Sequence, residues 1–132
     1  MSFARDLKDF ELKFSGATND FVQGVEISLF SSVIKDSPVD TGRFRGNWQT
    51  STASPATGVT IDVDPSGSSA ISAMTSLVQS LNDGRVTFLT NNLPYAERLE
   101  YGYSKQAPGG MVRKNVARFQ SIVNDQIEKH KI

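Results

Sequence analysis

The residues of this chain that could break or make bonds are few, and each falls short of what its chemistry needs. Asp40-Thr41-Gly42 has the form of the catalytic tripeptide of an aspartic protease, in which two carboxylates face each other and share a proton. The chain holds one copy, followed by Arg43 and Arg45, whose charges keep a carboxylate ionised rather than proton-sharing. The sole histidine, His130, stands two residues before Ile132; there it complements a helix dipole more readily than it serves as a held general base. Asp62 and Asp64 are two apart, on one face of a strand, and could hold a hard cation through water, although solvent-facing carboxylates are the plainer reading. Pro65-Ser66-Gly67-Ser68-Ser69 lacks the lysine and the glycines of a phosphate cradle. No cysteine is present, which removes thiolate catalysis, disulfides and thiolate zinc sites together. Neither a Gly-x-Ser-x-Gly elbow nor a His-x-x-x-His pair occurs. The expectation is a protein that is not an enzyme and carries no metal or cofactor.

Charged side chains suited to recognition are a different matter. Arg43 and Arg45, two apart on an expected strand, share one face, so their guanidinium groups could clamp a carboxylate of Glu97 or Glu100, within the chain or across a subunit boundary. Phosphate contact in a channel that DNA passes through is the alternative. Base-specific reading is not expected, because fourteen basic and fourteen acidic residues balance and no helix-turn-helix, zinc finger or aromatic RNA-binding strand is evident. The balance hides an asymmetry: residues 1–40 hold four bases and seven acids (4 − 7 = −3), residues 85–132 eight bases and four acids (8 − 4 = +4). Opposed charges on two sides of a subunit would guide register in a head-to-tail ring. Solvated helix faces of unlike sign are the bland equivalent.

These groups need elements to position them, and 132 residues suffice for one domain with its own core. No apolar run approaches the roughly twenty residues that span a bilayer, and Met1 to Asp6 lacks the layout of a secretory signal. Phe3, Leu7, Phe10 and Phe14 form one stripe at helical spacing; this first segment, within residues 1–18, is short and Phe-rich and could pack in the chain's own core or dock on a neighbouring subunit instead. After Gly16-Ala17, Thr18 or Asn19 can cap a second helix carrying Phe21, Val25, Leu29 and their neighbours. Pro38 forces that helix to end near Asp36. Asp40 and Thr41 can bond nearby N–H groups, and Gly42 can take a positive φ, so Pro38 to Gly42 makes a tight corner. Beyond it Phe44, Gly46 and Trp48 alternate with Arg43, Arg45 and Asn47, which predicts a strand over 43–52 with Trp48 in the core and both arginines facing away.

Val59, Ile61 and Val63 alternate with polar residues and predict a second strand over 59–64, most simply the hairpin partner of the first. Ser68 or Ser69 can cap a helix bearing Ile71, Met74, Leu77, Val78 and Leu81. A third strand over 85–91 is expected, with Val86, Phe88 and Thr90 on one side. Tyr95, Ala96 and Leu99 then fit a short helix that Gly102 ends. Tyr103 to Gly110 forms a loop, and Met111 to Ile127 carry the stripe of a long final helix. Tyr95, Tyr101, Tyr103 and Met111 flank a loop whose paired glycines need something packed on it, and Tyr and Met are enriched at interfaces. They are the expected apolar contact surface.

Two stretches resemble a known family. The run Pro38-Val39-Asp40-Thr41-Gly42-Arg43-Phe44-Arg45 after a helix, and the run Tyr95-Ala96-Glu97-Arg98-Leu99-Glu100-Tyr101-Gly102 followed by Gln106-Ala107-Pro108 and a closing helix, are similar to those of the neck and tail-completion proteins of long-tailed bacteriophages. The likeness spans roughly residues 20 to 125; residues 53 to 84 match no motif. It implies an α+β domain covering residues 1–132, with a small, mainly antiparallel, twisted sheet packed against N-terminal helices and a long C-terminal helix. It implies a virion subunit made in the host cytoplasm that forms a homo-oligomeric ring of six at the head–tail junction. There it would touch the head connector above and the tail terminator or tube below, with DNA passing through. Arg43, Arg45, Glu97 and Glu100 would then form a polar joint. A tail-terminator subunit that caps the tube is the alternative within this setting, and an unrecognised hydrolase or nuclease the alternative outside it.

Overall fold

A computed structural model describes residues 19–39, 41–61, 63–80, 86–102, 105–107 and 109–129. The elements in chain order are α1 (Asn19–Lys35), α2 (Arg43–Gly46), β1 (Gln49–Thr52), α3 (Ser68–Gln79), β2 (Thr87–Thr90), α4 (Ala96–Glu100), α5 (Val112–Ala117) and α6 (Phe119–Lys129). This is an α+β fold: helices around a two-stranded antiparallel sheet in which Gln49 stands opposite Thr90 and Thr52 opposite Thr87. The expected N-terminal stripe of Phe3 to Phe14 lies outside the described residues, as do Asp40, Asp62, Tyr103, Pro108 and His130.

The central helix is α1. Val25, Phe30, Val33 and Ile34 are fully buried, and α1 packs against α3, α5 and α6. It presents apolar residues over most of its circumference because it has neighbours on most sides. It ends where Pro38 requires: the Asp36 N–H reaches Ser32 O, Ser37 N–H reaches Ile34 O, and the chain leaves the helix. Met74 and Val78 of α3, Leu89 of β2, and Ile122 and Val123 of α6 complete the core. The C-terminal helix is offset at Arg118, where α5 gives way to α6.

The β region is smaller than the alternation predicts, and the departures have physical causes. Residues 43–46 form a helical turn and only 49–52 are a strand. Gly42 sits at φ +94°, and its carbonyl accepts the Gly46 N–H while Thr41 Oγ1 accepts the Arg43 N–H, which starts a turn of helix. Phe44 and Trp48 are four apart, a spacing that puts two side chains on one face in either period. Both are buried as expected, in contact edge to face with ring centroids 5.9 Å apart. Arg43 and Arg45, two apart, share a face only in a strand, so they part.

Residues 59–61 and 63–64 do not form a strand, and β1 takes β2 as its partner instead. In β2 Thr87 and Leu89 are buried, and Phe88 and Thr90 on the opposite side are only half-buried; the pattern Val-Thr-Phe-Leu-Thr has apolar residues on both faces and does not say by itself which is covered. The start of α3 has neither Ser68 nor Ser69 as its cap. Asp64, buried, turns its Oδ2 to the Ala70 N–H at 3.1 Å, placing a carboxylate at the helix's positive end. No helix among the described residues is long and apolar enough to cross a membrane.

Candidate interface

The two motif stretches, far apart in sequence, meet at the end of α1. Val39 and Gln106 exchange a reciprocal pair of hydrogen bonds: the Val39 N–H donates to Gln106 Oε1 at 2.8 Å, and Gln106 Nε2 donates to Val39 O at 3.0 Å. A side-chain amide here acts as a one-residue strand partner, satisfying backbone groups that the corner takes out of the helix. Beneath it Trp48 Nε1 donates to Ser37 Oγ at 2.7 Å, and Ser37 Oγ donates to Val33 O at 2.9 Å. Pro38 and Gly42 are buried beside them. A Cβ on Gly42 would meet Pro65 N at 2.5 Å, so no other residue fits that position.

Arg45 is committed to the fold rather than available to a partner. Its Nη1 donates to Pro65 O at 2.9 Å, and its Nη2 to Lys35 O at 2.9 Å and Ser37 O at 2.6 Å. These carbonyls close the end of α1 and the turn before α3, and a guanidinium serves them because it carries five donors in a plane. Arg43 is exposed. Within the chain, Arg45 therefore makes no clamp on Glu97 or Glu100.

Glu100 has another task. Its Oε1 accepts the N–H groups of Met111 and Val112 at 2.9 and 2.8 Å, and its Oε2 accepts the Arg113 N–H at 2.9 Å and Arg113 Nε at 3.1 Å. The carboxylate caps the start of α5 from outside it. Arg113 also lies over the Tyr101 ring, 4.9 Å from its centroid, a cation–π contact. Gly110, at φ +79°, brings its backbone against Glu100 where a Cβ has no room. Met111 is 1% exposed and belongs to the core, so it does not supply the contact area expected of it. Tyr101 is exposed and Tyr95 partly so, with the Tyr95 ring against Phe44. Glu97 is exposed beside Tyr101.

Between corner and loop lies a polar recess of about 440 Å³ that Lys35, Arg45 and Lys114 line, with Asp36 at 3.9 Å from Lys114 Nζ. Arg45 Nε is buried there without a hydrogen-bond partner among the described residues. No cluster of metal-ligating side chains occurs among the described residues.

The largest departure from expectation is on the other side of the corner. Val59, Ile61 and Val63 are 49%, 87% and 60% exposed. Thr60 between them is held by Asn47, whose Oδ1 accepts the Thr60 N–H at 2.9 Å and whose Nδ2 donates to Thr60 O at 3.0 Å. Gly58 O accepts from Gln49 and Asn92, and the Asp64 N–H from below reaches Gly42 O. The stretch is thus pinned by its even-numbered residues, leaving the three β-branched residues outside. Ile61 and Val63 border a cleft of about 790 Å³ whose walls include Trp48, Thr50, Ala70 and Ala73. The alternation at Val59, Ile61 and Val63 predicts a strand paired with the first; nothing in alternation alone tells an apolar face turned to the core from one turned to solvent. The backbone-pairing roles of Asn47 and Gln106 carry no sequence signal, since an amide in a polar position gives no hint of its partner. No family model matches the chain, nor does any curated protein or solved structure.

Proposed function

We propose that the chain is a structural subunit of a tailed bacteriophage, forming a ring of six at the head–tail junction that completes the tail and joins it to the head connector. The observation that carries the reading is the Val39–Gln106 pair, which ties the proline-led corner to the Gln-Ala-Pro loop and makes the two resembling stretches one structural unit. Around that unit the surface is suited to protein contact rather than catalysis. Arg43, Glu97 and Tyr101 are exposed, and the cation-lined recess can admit an acidic side chain of a neighbour. Arg45, Glu100 and Met111 hold this face in shape from within, and Arg43 with Glu97 form its polar contacts.

The test is electron microscopy of lysates from phage carrying Arg43→Glu or a deletion of the reading frame. Full heads beside unattached tails of normal length are the expected result for both. Overlong tails would instead assign a terminator role, and normal infectious particles from the deletion would overturn the reading.

A further inference from the structure

We infer that the recess between the proline-led corner and the Gln-Ala-Pro loop is a binding site for a phosphate dianion, either inorganic phosphate or the terminal phosphate group of a monoester. Charge is the first observation. Lys35, Arg45 and Lys114 line a space of about 440 Å³, and Asp36 is the one acidic residue in its walls. Lys114 Nζ stands 3.9 Å from Asp36 Oδ2, at the outer limit of an ion pair, and that oxygen already accepts from Asn115 Nδ2 at 2.9 Å. Three positive charges therefore face one negative charge, and the surplus of two matches the charge of a phosphate dianion. Concave walls concentrate such a field instead of letting solvent spread it.

The second observation is Arg45. Its Nη groups donate to the carbonyls of Pro65, Lys35 and Ser37, all neutral, and no carboxylate among the described residues pairs with it. Its Nε is buried without a hydrogen-bond partner. A half-buried guanidinium with neutral partners keeps its full charge beside the recess, and an anion there offsets it. The carbonyls of Lys35 and Ser37, which would repel an anion, are covered by the same guanidinium. Lys35 likewise has no carboxylate within ion-pair distance among the described residues.

The donors that remain decide which anion fits. A carboxylate is held best by the two parallel N–H groups of an arginine fork. Both Nη groups of Arg45 already donate to carbonyls, so that fork is taken. What the recess offers is two ammonium groups, on Lys35 and Lys114, compact point charges that bind phosphate without needing a plane. A single carboxylate would cancel half of the surplus, and so would a backbone phosphate of nucleic acid, which carries one charge. Gly109, exposed in the wall, would have nothing within 4 Å of a Cβ, so its missing side chain leaves the space open.

The inference goes beyond the joining role and does not depend on it. Its test is a heteronuclear NMR titration of the purified full-length chain at matched ionic strength and about pH 8, where phosphate is mostly doubly charged. The probes are inorganic phosphate, methyl phosphate, dimethyl phosphate and acetate. Saturable shifts at the amides of Lys35, Gly109 and Lys114 with inorganic phosphate are expected, and none at Ser121, an exposed site on α6. The same shifts with methyl phosphate assign the site to monoesters, whereas shifts with inorganic phosphate alone assign it to the free ion. Affinity should move in both directions with charge: Lys35→Gln weakens binding by about fivefold or more, and Asp36→Asn tightens it by about as much. Gly109→Asp, which sets a carboxylate in the open wall, should weaken it as well. No saturable shift at these amides, dimethyl phosphate or acetate binding as tightly as phosphate, equal shifts at Ser121, or unchanged affinity in Lys35→Gln would overturn the inference. None of these results alters what a deletion of the reading frame does to heads and tails, so the two readings fail separately.

Discussion

Residues 44–48 and 59–63 both alternate apolar with polar side chains, and the two stretches lie side by side, joined through Asn47 and Thr60. In the first, Phe44 and Trp48 are buried and even Arg45 is spent on three backbone carbonyls. In the second, the apolar residues face outward and the backbone of Thr60 is held by Asn47. The difference teaches that burial is decided by what ties the backbone, not by the alternation. Gly42 starts a turn that swings Trp48 under Ser37, whereas amide side chains from below pin residues 58 and 60 and leave the odd positions outside. One stretch is spent on the subunit's own core, and the other leaves its apolar side chains exposed.

That contrast breaks first at Trp48. Trp48→Ala removes a large buried ring and the partner of Ser37 Oγ, and should lower unfolding free energy by about 3–5 kcal/mol, read from denaturant melts of the purified chain; a change below about 1 kcal/mol would deny it a core role. Arg45→Ala sharpens it next. Leaving the carbonyls of Lys35, Ser37 and Pro65 without their donor should cost about 2–3 kcal/mol, whereas an arginine serving only a partner would leave the melt unchanged and impair assembly alone. The smallest effect on stability belongs to Ile61→Asp. At 87% exposure it should shift stability by no more than about 0.5 kcal/mol, read from the same melts.

Much of the helical framework was legible in the sequence. The end of α1 at Pro38, the span of α3 and the stop of α4 before Gly102 follow from local signals, because caps, prolines and glycines act within a few residues. The sheet was less legible. That β1 pairs with β2, more than thirty residues on, is a long-range matter that no alternation encodes. The candidate site divides in the same way. Trp48 inside, with Pro38 and Gly42 at the corner, followed from residue type, whereas Arg45, Glu100 and Met111 were assigned outward by their chemistry. Their work is internal because carbonyls and N–H groups at helix ends need long charged side chains as much as any partner does.

Hydroxyl-radical footprinting of the purified chain, read by mass spectrometry at Trp48, Ile61 and Val63 against the unfolded chain, tests most directly that one stretch is spent on the core and the other leaves its apolar side chains outside. The account predicts strong protection of Trp48 on folding, and modification of Ile61 and Val63 close to that of the unfolded chain. Ile61 and Val63 as protected as Trp48, or Trp48 as reactive folded as unfolded, would contradict it.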